Sequence, residues 1–589
     1  MKELLRDALT DSLKSLEEQY DVDLSTIKIE VKENKEKDFG DFSTNLALVL
    51  SKKLSEQPKK IAEILLGELD KKEFIDSIEI AGPGFINFFL SQTSRTEILK
   101  TVNKEKNKFG FSQKKETEPD KILIEYVSSN PTGPLHVGHG RGAAFGSVLS
   151  SILRATGNHV DEEYYVNDQG RQIEILSLSV WLRYLMIFNQ INLFPNNCYQ
   201  GTYIKELAKE LEKDYGEKFS ITKEIENQIS QILQLDMEEE ALDSLISQSK
   251  EALNEGFDEI KSFSLSRILK NIEGDLKDFG VEHNSWFKES TMFSAVKNKA
   301  PLIFKALDSL EAKKQLYEKD GALWFKSTDF GDEKDRVVRR ENGATTYFAS
   351  DIAYHANKYD RGYSKIINIW GADHHGYLPR VKAAMSALDE DTEKFEVVFI
   401  QFANLIRNGK KLSMSTRAGE FISLSELIEE VTSEAARFFY INRKGNQHLD
   451  FDLDLAKEQS KDNPLYYVQY AHARICSIFD KLEENKKSYK ESIAMDSLDQ
   501  LNSEQEIEIQ KLLSQFPEVV IRSAANYEPH LICYYLRQLA GTFHSYYNNE
   551  KILVEEESTL QARLFLISAV RQVVFNGLTI LGISAPETM

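Results

Sequence analysis

Apolar and polar positions along this chain change period several times, and each change marks a new element or domain. The opening residues, MKELLRDALTDSLKSLEEQY, carry acids and bases around an apolar stripe at helical spacing. A charged run, Lys32–Asp38, leads into DFGDFSTNLALVLSKKL and then the apolar IEIAGPGFINFFL, Ile78–Leu90, which together predict a small α+β domain. The stretch Asn103–Lys121, with KKETEPDK, is charged and strand-poor and predicts a linker with a boundary near 115. ILIEYV, at 122–127, then reads as a buried strand, SSNPTGP as a turn and HVGHGRGAAFGSVLSSILRATG as a helix of small residues.

Residues 176 to about 290 are helical and highly charged and read as an insertion. Strand-like segments return in ALWFKS, TTYFAS, KIINIWGADHH and FEVVFIQFANL, so a parallel sheet is expected to resume and one domain to be split. From about 435 the pattern is helical almost throughout, clearest in YYLRQLAGTFHSYYNN and ARLFLISAVRQVVFNGLTILG. The fold class expected is α/β: a split Rossmann-like parallel-sheet domain at 116–434, an N-terminal α+β domain at 1–115 and a C-terminal all-α helix bundle at 435–589.

Composition adds exclusions. With 589 residues, several domains are expected, and 41% hydrophobic with 28% charged residues describes a folded chain. Apolar stretches such as Ile122–Ile124 or Leu564–Val570 fall short of the roughly 20 residues that cross a bilayer, so no membrane partner is expected. The first residues lack the apolar core of a secretory signal. Cys198, Cys476 and Cys533 lie far apart, which offers no zinc spacing or disulfide framework and fits a reducing cytoplasm. A formal charge of −21 argues against nucleic acid on average, yet leaves room for a basic groove on an acidic body.

The candidate chemistry sits where the first buried strand becomes a helix. His136 and His139 are three residues apart and project from one side of that turn, so both reach one ligand. Gly138 leaves the backbone open to a flat purine, and the helix N-terminus favours phosphate. A bare HxGH tetrapeptide fits helix caps or metal ligands equally well. Its context decides: EYVSSNPTGPLHVGHGR, Glu125–Arg141, resembles the HIGH signature of class I aminoacyl-tRNA synthetases, in the form found in the arginyl-tRNA synthetase family. The second signature of that class resembles RNGKKLSMSTRAGEFISL, Arg407–Leu424, with Met414 and Ser415 at its centre. Here Ser413 and Thr416 stand where lysines are usual, and Lys410, Lys411 and Arg417 are the candidate replacements.

The resemblance implies an arginine–tRNA ligase that uses ATP, with Mg2+ accompanying the nucleotide and no structural zinc. Its partners are the tRNA for arginine, L-arginine and ATP, and its state a cytoplasmic monomer whose first step needs tRNA. ATP is expected at His136, Gly138, His139, Asp373, Met414 and Ser415, with His136 and His139 catalytic. Arginine is expected at Glu125, Ser128, Asn130, Tyr347 and Asp351, the last two i, i+4 on one helical face. A guanidinium needs planar acceptors and a carboxylate, which would leave lysine poorly satisfied. Tyr467, Tyr470 and Arg474, in the segment Asp450–Ile478, resemble residues of the anticodon-binding bundle. Phe39 and Phe85, in a segment resembling the tRNA-corner domain, fit an RNA contact or a core equally. The competing readings are another class I synthetase and an inactive synthetase-like RNA-binding protein.

Overall fold

The computed structural model describes residues 2–34, 36–69, 72–111, 119–234, 239–295, 300–412 and 422–589, the side chains at 37 and 68 excepted. The boundary expected near 115 and the residues Ser413 to Arg417 lie outside them. At the N-terminus, α1 (Lys2–Tyr20), α2 (Leu46–Leu54) and α3 (Pro58–Leu69) pack on an antiparallel sheet of β1 (Val31–Glu33), β2 (Phe42–Thr44), β3 (Ile75–Ala81) and β4 (Phe85–Leu90), in the order β1-β2-β4-β3. Phe39 and Phe85 are both exposed rather than part of this core. The start of the expected linker is helical: α4 (Gln92–Glu105) runs into a turn of 3-10 helix at Lys106–Lys108.

The second unit is built on β5 (Lys121–Glu125), α5 (Val137–Ala155) and β6 (His159–Val166). Five helices follow: α6 (Arg171–Ile187), α7 (Thr202–Tyr215), α8 (Lys223–Leu233), α9 (Glu239–Leu253) and α10 (Glu255–Asp278). The chain then re-enters the sheet as β7 (Ser285–Lys288) and continues through α11 (Leu302–Ala312), β8 (Leu316–Lys319), β9 (Ala322–Phe325) and β10 (Arg336–Arg339). Next come α12 (Tyr347–Asp360), β11 (Lys365–Gly371), α13 (Leu378–Ala387) and β12 (Phe395–Ile400). The central sheet is all parallel, in the order β12-β11-β5-β6-β7. Strand β5 is apolar nearly throughout because both its faces are covered by helices. Successive strands move outward on opposite sides of β5, which makes the β5/β11 crevice the topological switch point, where parallel sheets bind ligands.

Two strands expected in that sheet are elsewhere. ALWFKS forms β9, the middle of a separate antiparallel β10-β9-β8 sheet. TTYFAS is not a strand: the Thr346 side chain accepts from the Ala349 amide and starts α12, so an N-cap overrides the β-branched, aromatic composition. A third small sheet joins β13 (Ala403–Arg407), β14 (Lys410–Lys411) and β15 (Leu449–Asp452), the last in a stretch expected to be helical almost throughout; α14 (Leu424–Val431) and α15 (Ser433–Ile441) precede β15, and α16 (Leu453–Lys457) follows it.

The bundle comprises α17 (Pro464–Glu484), α18 (Glu491–Asp496), α19 (Glu504–Asn526), α20 (His530–Asn549) and α21 (Glu557–Leu581). Asn463 caps α17 and Pro464 occupies its first turn, where a missing amide costs nothing. Helix α21 corrects the reading of apolar lengths: its 25 residues are long and apolar enough to cross a bilayer, but 78% of the apolar window is buried inside the protein, as befits a core helix. Helix α4 packs on α19 and α21, where Asn576 donates to the carbonyls of Lys106 and Phe109, both at 2.9 Å.

One buried cation joins the units. Arg437, on α15, is nearly inaccessible and donates to the carbonyls of Phe279 and Gly280 just after α10, both at 3.1 Å, and of Leu581 at the end of α21 at 3.0 Å. Its removal orphans two buried acceptors at two helix ends, the Phe279 and Leu581 carbonyls, while Gly280 is exposed. Arg437→Ala is therefore expected to destabilise the chain by about 3 kcal/mol or more in denaturant melts, at roughly 1–3 kcal/mol per unsatisfied buried group.

Candidate active site

The HVGH turn is held from several sides. His136 is the N-cap of α5, and its Nδ1 accepts the Gly138 amide at 3.1 Å. His139 returns the arrangement, its Nδ1 accepting the His136 amide at 3.2 Å. The two rings stack with centroids 3.8 Å apart. Since each Nδ1 is an acceptor, each neutral ring carries its proton on Nε2. Burial lowers both imidazoles, His139 to about 3 with the His136 ring adding to the effect, so both are neutral donors near pH 7. Gly138 is required for this packing: a Cβ there would stand 2.8 Å from His136 Cε1.

Below the turn, buried Arg141 donates to the carbonyls of Gln401 at 2.7 Å, Gln447 at 2.8 Å and Lys444 at 3.0 Å, and Tyr440 donates to the Val137 carbonyl at 2.8 Å. Val137 and Leu424 exchange backbone bonds with Ile422 and Leu135, so the downstream flank of the second signature is fastened to HVGH. Met414 and Ser415 themselves fall outside the described residues. Phe402, exposed and not anticipated from sequence, lies between the head of α5 and the end of β11: a Cβ on Gly138 would lie 3.8 Å from its ring and one on Gly371 3.6 Å. Asp373 follows Gly371 in an exposed turn, 3.5 Å from His374. Among the described residues, no group of three His, Cys, Asp or Glu is placed to hold a metal.

The carboxyl ends of β5, β6 and β7 gather acids. Glu125 and Glu163 are register partners on β5 and β6. Each meets a cation at the end of α12, Lys358 in its last turn or Arg361 at its C-cap. The fully buried Lys358 donates to Glu125 Oε2 at 2.5 Å and to Asn368 Oδ1 at 2.8 Å, and Arg361 takes both oxygens of Glu163 at 2.6 and 2.8 Å. Glu125 Oε1 accepts from Ser128 at 3.0 Å, so both its oxygens are engaged. The turn that brings Ser128 there is strained, with φ of 68° at β-branched Val127 and 41° at Ser128.

Three other acids have hydrogen-bond partners but no ion pair among the described residues, and Arg380 on α13 offsets part of the charge of one of them, Asp351. Tyr377 donates to Asp351 in a short hydrogen bond. Asp168 accepts from the amide and hydroxyl of Ser290 at 2.8 and 2.6 Å. Glu289, 4% exposed, is offset by hydrogen bonds from Ser350 and Tyr165. Burial pushes Asp351 up to about 7, with Glu289 and Glu125 adding to the rise, and burial beside Asp168 raises Glu289. Tyr165 stands within the electrostatic reach of Glu289, Asp351, Glu125 and Asp168. Tyr347, 59% exposed, begins α12 with its hydroxyl 2.9 Å from where a Cβ on Gly170 would be, and Asn130 donates to Gln172 at 2.9 Å. Glu289 and Asp168 were not identified from sequence, since nothing local separates them from the paired Glu163.

In the helical bundle, the Arg474 guanidinium lies between the rings of Tyr470 and Tyr547, at 4.4 and 4.6 Å, and donates to the Tyr470 hydroxyl. Tyr467 lines a separate cleft of about 390 Å3 with Lys461, Pro464, Tyr534 and Arg537.

Three family descriptions match in series: the arginyl tRNA synthetase N terminal domain over residues 2–90, the catalytic domain of tRNA synthetases class I (R) over 99–455 and the DALR anticodon binding domain over 468–589. The chain belongs to the arginyl-tRNA synthetase family. It is 47% identical to the arginine–tRNA ligase of Nitrosomonas europaea, over 96% of this chain and 95% of that protein. It is 46% identical to that of Legionella pneumophila strain Paris, over 100% and 98%. The fold matches Thermus thermophilus arginyl-tRNA synthetase with a TM-score of 0.72 at 22% identity, both chains covered in full.

The titration of Asp351 sets a direction. Its charged form is the one a cation needs, so KM for a cationic substrate is expected to rise as the pH falls through about 7. A raised carboxyl binds its proton more tightly in the folded state, so the ligand-free protein loses stability as the pH rises from the ordinary carboxylate range through that value. Asp351→Asn is expected to remove the KM step, to stabilise the ligand-free protein above it, and to raise KM at least about tenfold, in steady-state kinetics and thermal melts.

Proposed function

We propose that this chain is an arginine–tRNA ligase of three units, 1–115, 116–434 and 435–589. It activates L-arginine with ATP and transfers arginine to the 3′ end of its tRNA. The observation that carries the reading is the trio Asp351, Glu289 and Asp168, buried or nearly so around Tyr165 without an ion-pair partner among the described residues. A guanidinium answers that deficit, and Glu125, Ser128, Asn130 and Tyr347 are assigned to the same arginine site.

In the first step the arginine carboxylate attacks the α-phosphorus of ATP, an O–P bond forms, and the bond to pyrophosphate breaks. The Nε2 protons of His136 and His139 lie on neutral rings, so they steady the charge growing on phosphate oxygens without giving up a proton. Gly138 and the Phe402 face take the adenine, and Asp373 the ribose side. Magnesium, which suits oxygen ligands and keeps several waters, would accompany the nucleotide and would supply neutralisation of part of its charge. Met414 and Ser415 complete the nucleotide side. In the second step the terminal ribose hydroxyl of tRNA attacks the carbonyl carbon and AMP departs.

Tyr467, Tyr470 and Arg474 serve the tRNA, since half-buried rings interleaved with guanidinium offer faces on which splayed bases stack. The three cysteines are free and buried, which suits a cytoplasmic protein, and the apolar cores are covered within the chain, which suits a monomer.

An amino-acid panel in tRNA charging, with ATP–pyrophosphate exchange run with and without tRNA, tests the reading. Charging with arginine is expected, and His136→Ala is expected to lower it about a hundredfold or more while tRNA affinity stays near that of the unaltered chain. Charging of a different amino acid, or tRNA retention without charging, would overturn it.

A further inference from the structure

The loop from Ser128 to Pro134 carries two of the residues assigned above to arginine, Ser128 and Asn130, and it leaves β5 through strained backbone. Such a conformation persists only where its surroundings over-determine it. The inner half is fixed by the sheet: Ser128 bonds Glu125 and accepts the Tyr165 amide at 3.1 Å, and Ser129 meets the Tyr164 hydroxyl at 2.8 Å. The outer half is fixed from the helices inserted between β6 and β7. Gln172, in the first turn of α6, accepts from Asn130. Tyr203, in the first turn of α7, donates its hydroxyl to the Thr132 carbonyl at 2.8 Å, and the Thr132 amide donates to the Asn130 carbonyl at 2.8 Å.

The Tyr203 ring reaches the loop by a route that two glycines leave open. It folds back over the start of α7, where a Cβ on Gly201 would lie 2.2 Å from its Cε1, closer than real contacts allow. On the loop side, a Cβ on Gly133 would press within 3.0 Å of the hydroxyl. Burial pushes the Tyr203 phenol far above its usual range, so it remains a donor at every working pH. A second phenol of the same segment meets the same residue, since the Thr132 side chain partly offsets the burial of Tyr199.

We infer that the helical insertion is a positioning element for the arginine slot, acting through the Tyr203 hydroxyl on the Thr132 backbone and so on Asn130. The inference rests on the slot being the arginine site. Tyr203 is a positioning residue and touches no substrate. Without its hydrogen bond the loop is ordered only when arginine binds, which weakens arginine binding and spares the chemical step. ATP binding is spared as well, because HVGH is braced separately by Arg141 and Tyr440.

The test is Tyr203→Phe in the full chain, which removes one oxygen and keeps the ring, with charging measured while arginine and ATP are varied in turn. KM for arginine is expected to rise roughly 3- to 10-fold, the size of one net hydrogen bond, with kcat and KM for ATP within about twofold of the unaltered chain. In an Asn130→Ala background the same change is expected to add nothing to KM for arginine. An unchanged KM for arginine, a fall in kcat at saturating arginine, or additive effects in the double variant would overturn the inference. Should Tyr203→Phe melt early, Gly133→Ala, which crowds the hydroxyl from the other side, decides alone: a selective rise in KM for arginine supports the inference and none overturns it. Failure of the unaltered chain to charge arginine overturns the functional reading itself, a result distinct from unresponsive variants.

Discussion

A buried charge has to be answered by another, and the way α12 answers some carboxylates and not others organises this site. Lys358 and Arg361, three residues apart, reach the ends of β5 and β6 and neutralise Glu125 and Glu163. The helix has no third cation for Asp351, which Arg380 on α13 offsets in part without forming an ion pair, and among the described residues the partners of Asp168 and Glu289 are hydroxyls and an amide. Removing one member of a buried ion pair is costly, so Lys358 and Arg361 are fixed in place and the remaining negative charge lies within reach of Tyr165. That remainder gives the slot its selectivity: a guanidinium offers planar donors to several acids at once, where an ammonium offers a point charge.

The sheet brings this slot beside the nucleotide side. Strand β5 ends in Glu125, and the same chain turns through Ser128 and Asn130 into HVGH at the head of α5, so arginine and triphosphate share one connection at the switch point. Neutral imidazoles suit that position. A charged ring would bind the phosphates of the ground state as strongly as those of the transition state, whereas neutral Nε2–H donors act chiefly where charge grows.

The strand, turn and helix around HVGH were legible because β5 is a continuous apolar run and small residues follow the motif. The N-terminal α+β unit and the helical bundle were legible from their periods. Local composition misled at TTYFAS, where Thr346 acts as a cap, and at Leu449–Asp452, whose partner strand β13 lies far back in the chain. Glu289, Asp168 and Phe402 stayed hidden for a related reason. Whether an acid is paired, or a ring exposed between two glycines, depends on residues distant in sequence, and no periodicity encodes it.

The central claim is that the slot recognises positive charge through carboxylates left without a cation of their own. Calorimetric binding of L-arginine and of L-citrulline, its neutral near-isostere, to the same protein tests it most directly. The account expects arginine to bind at least about a hundredfold tighter, as for charge-assisted pairs made or lost in a buried site, with the gap narrowing once the pH falls below about 7. Equal affinity for the two, unchanged with pH, would contradict it.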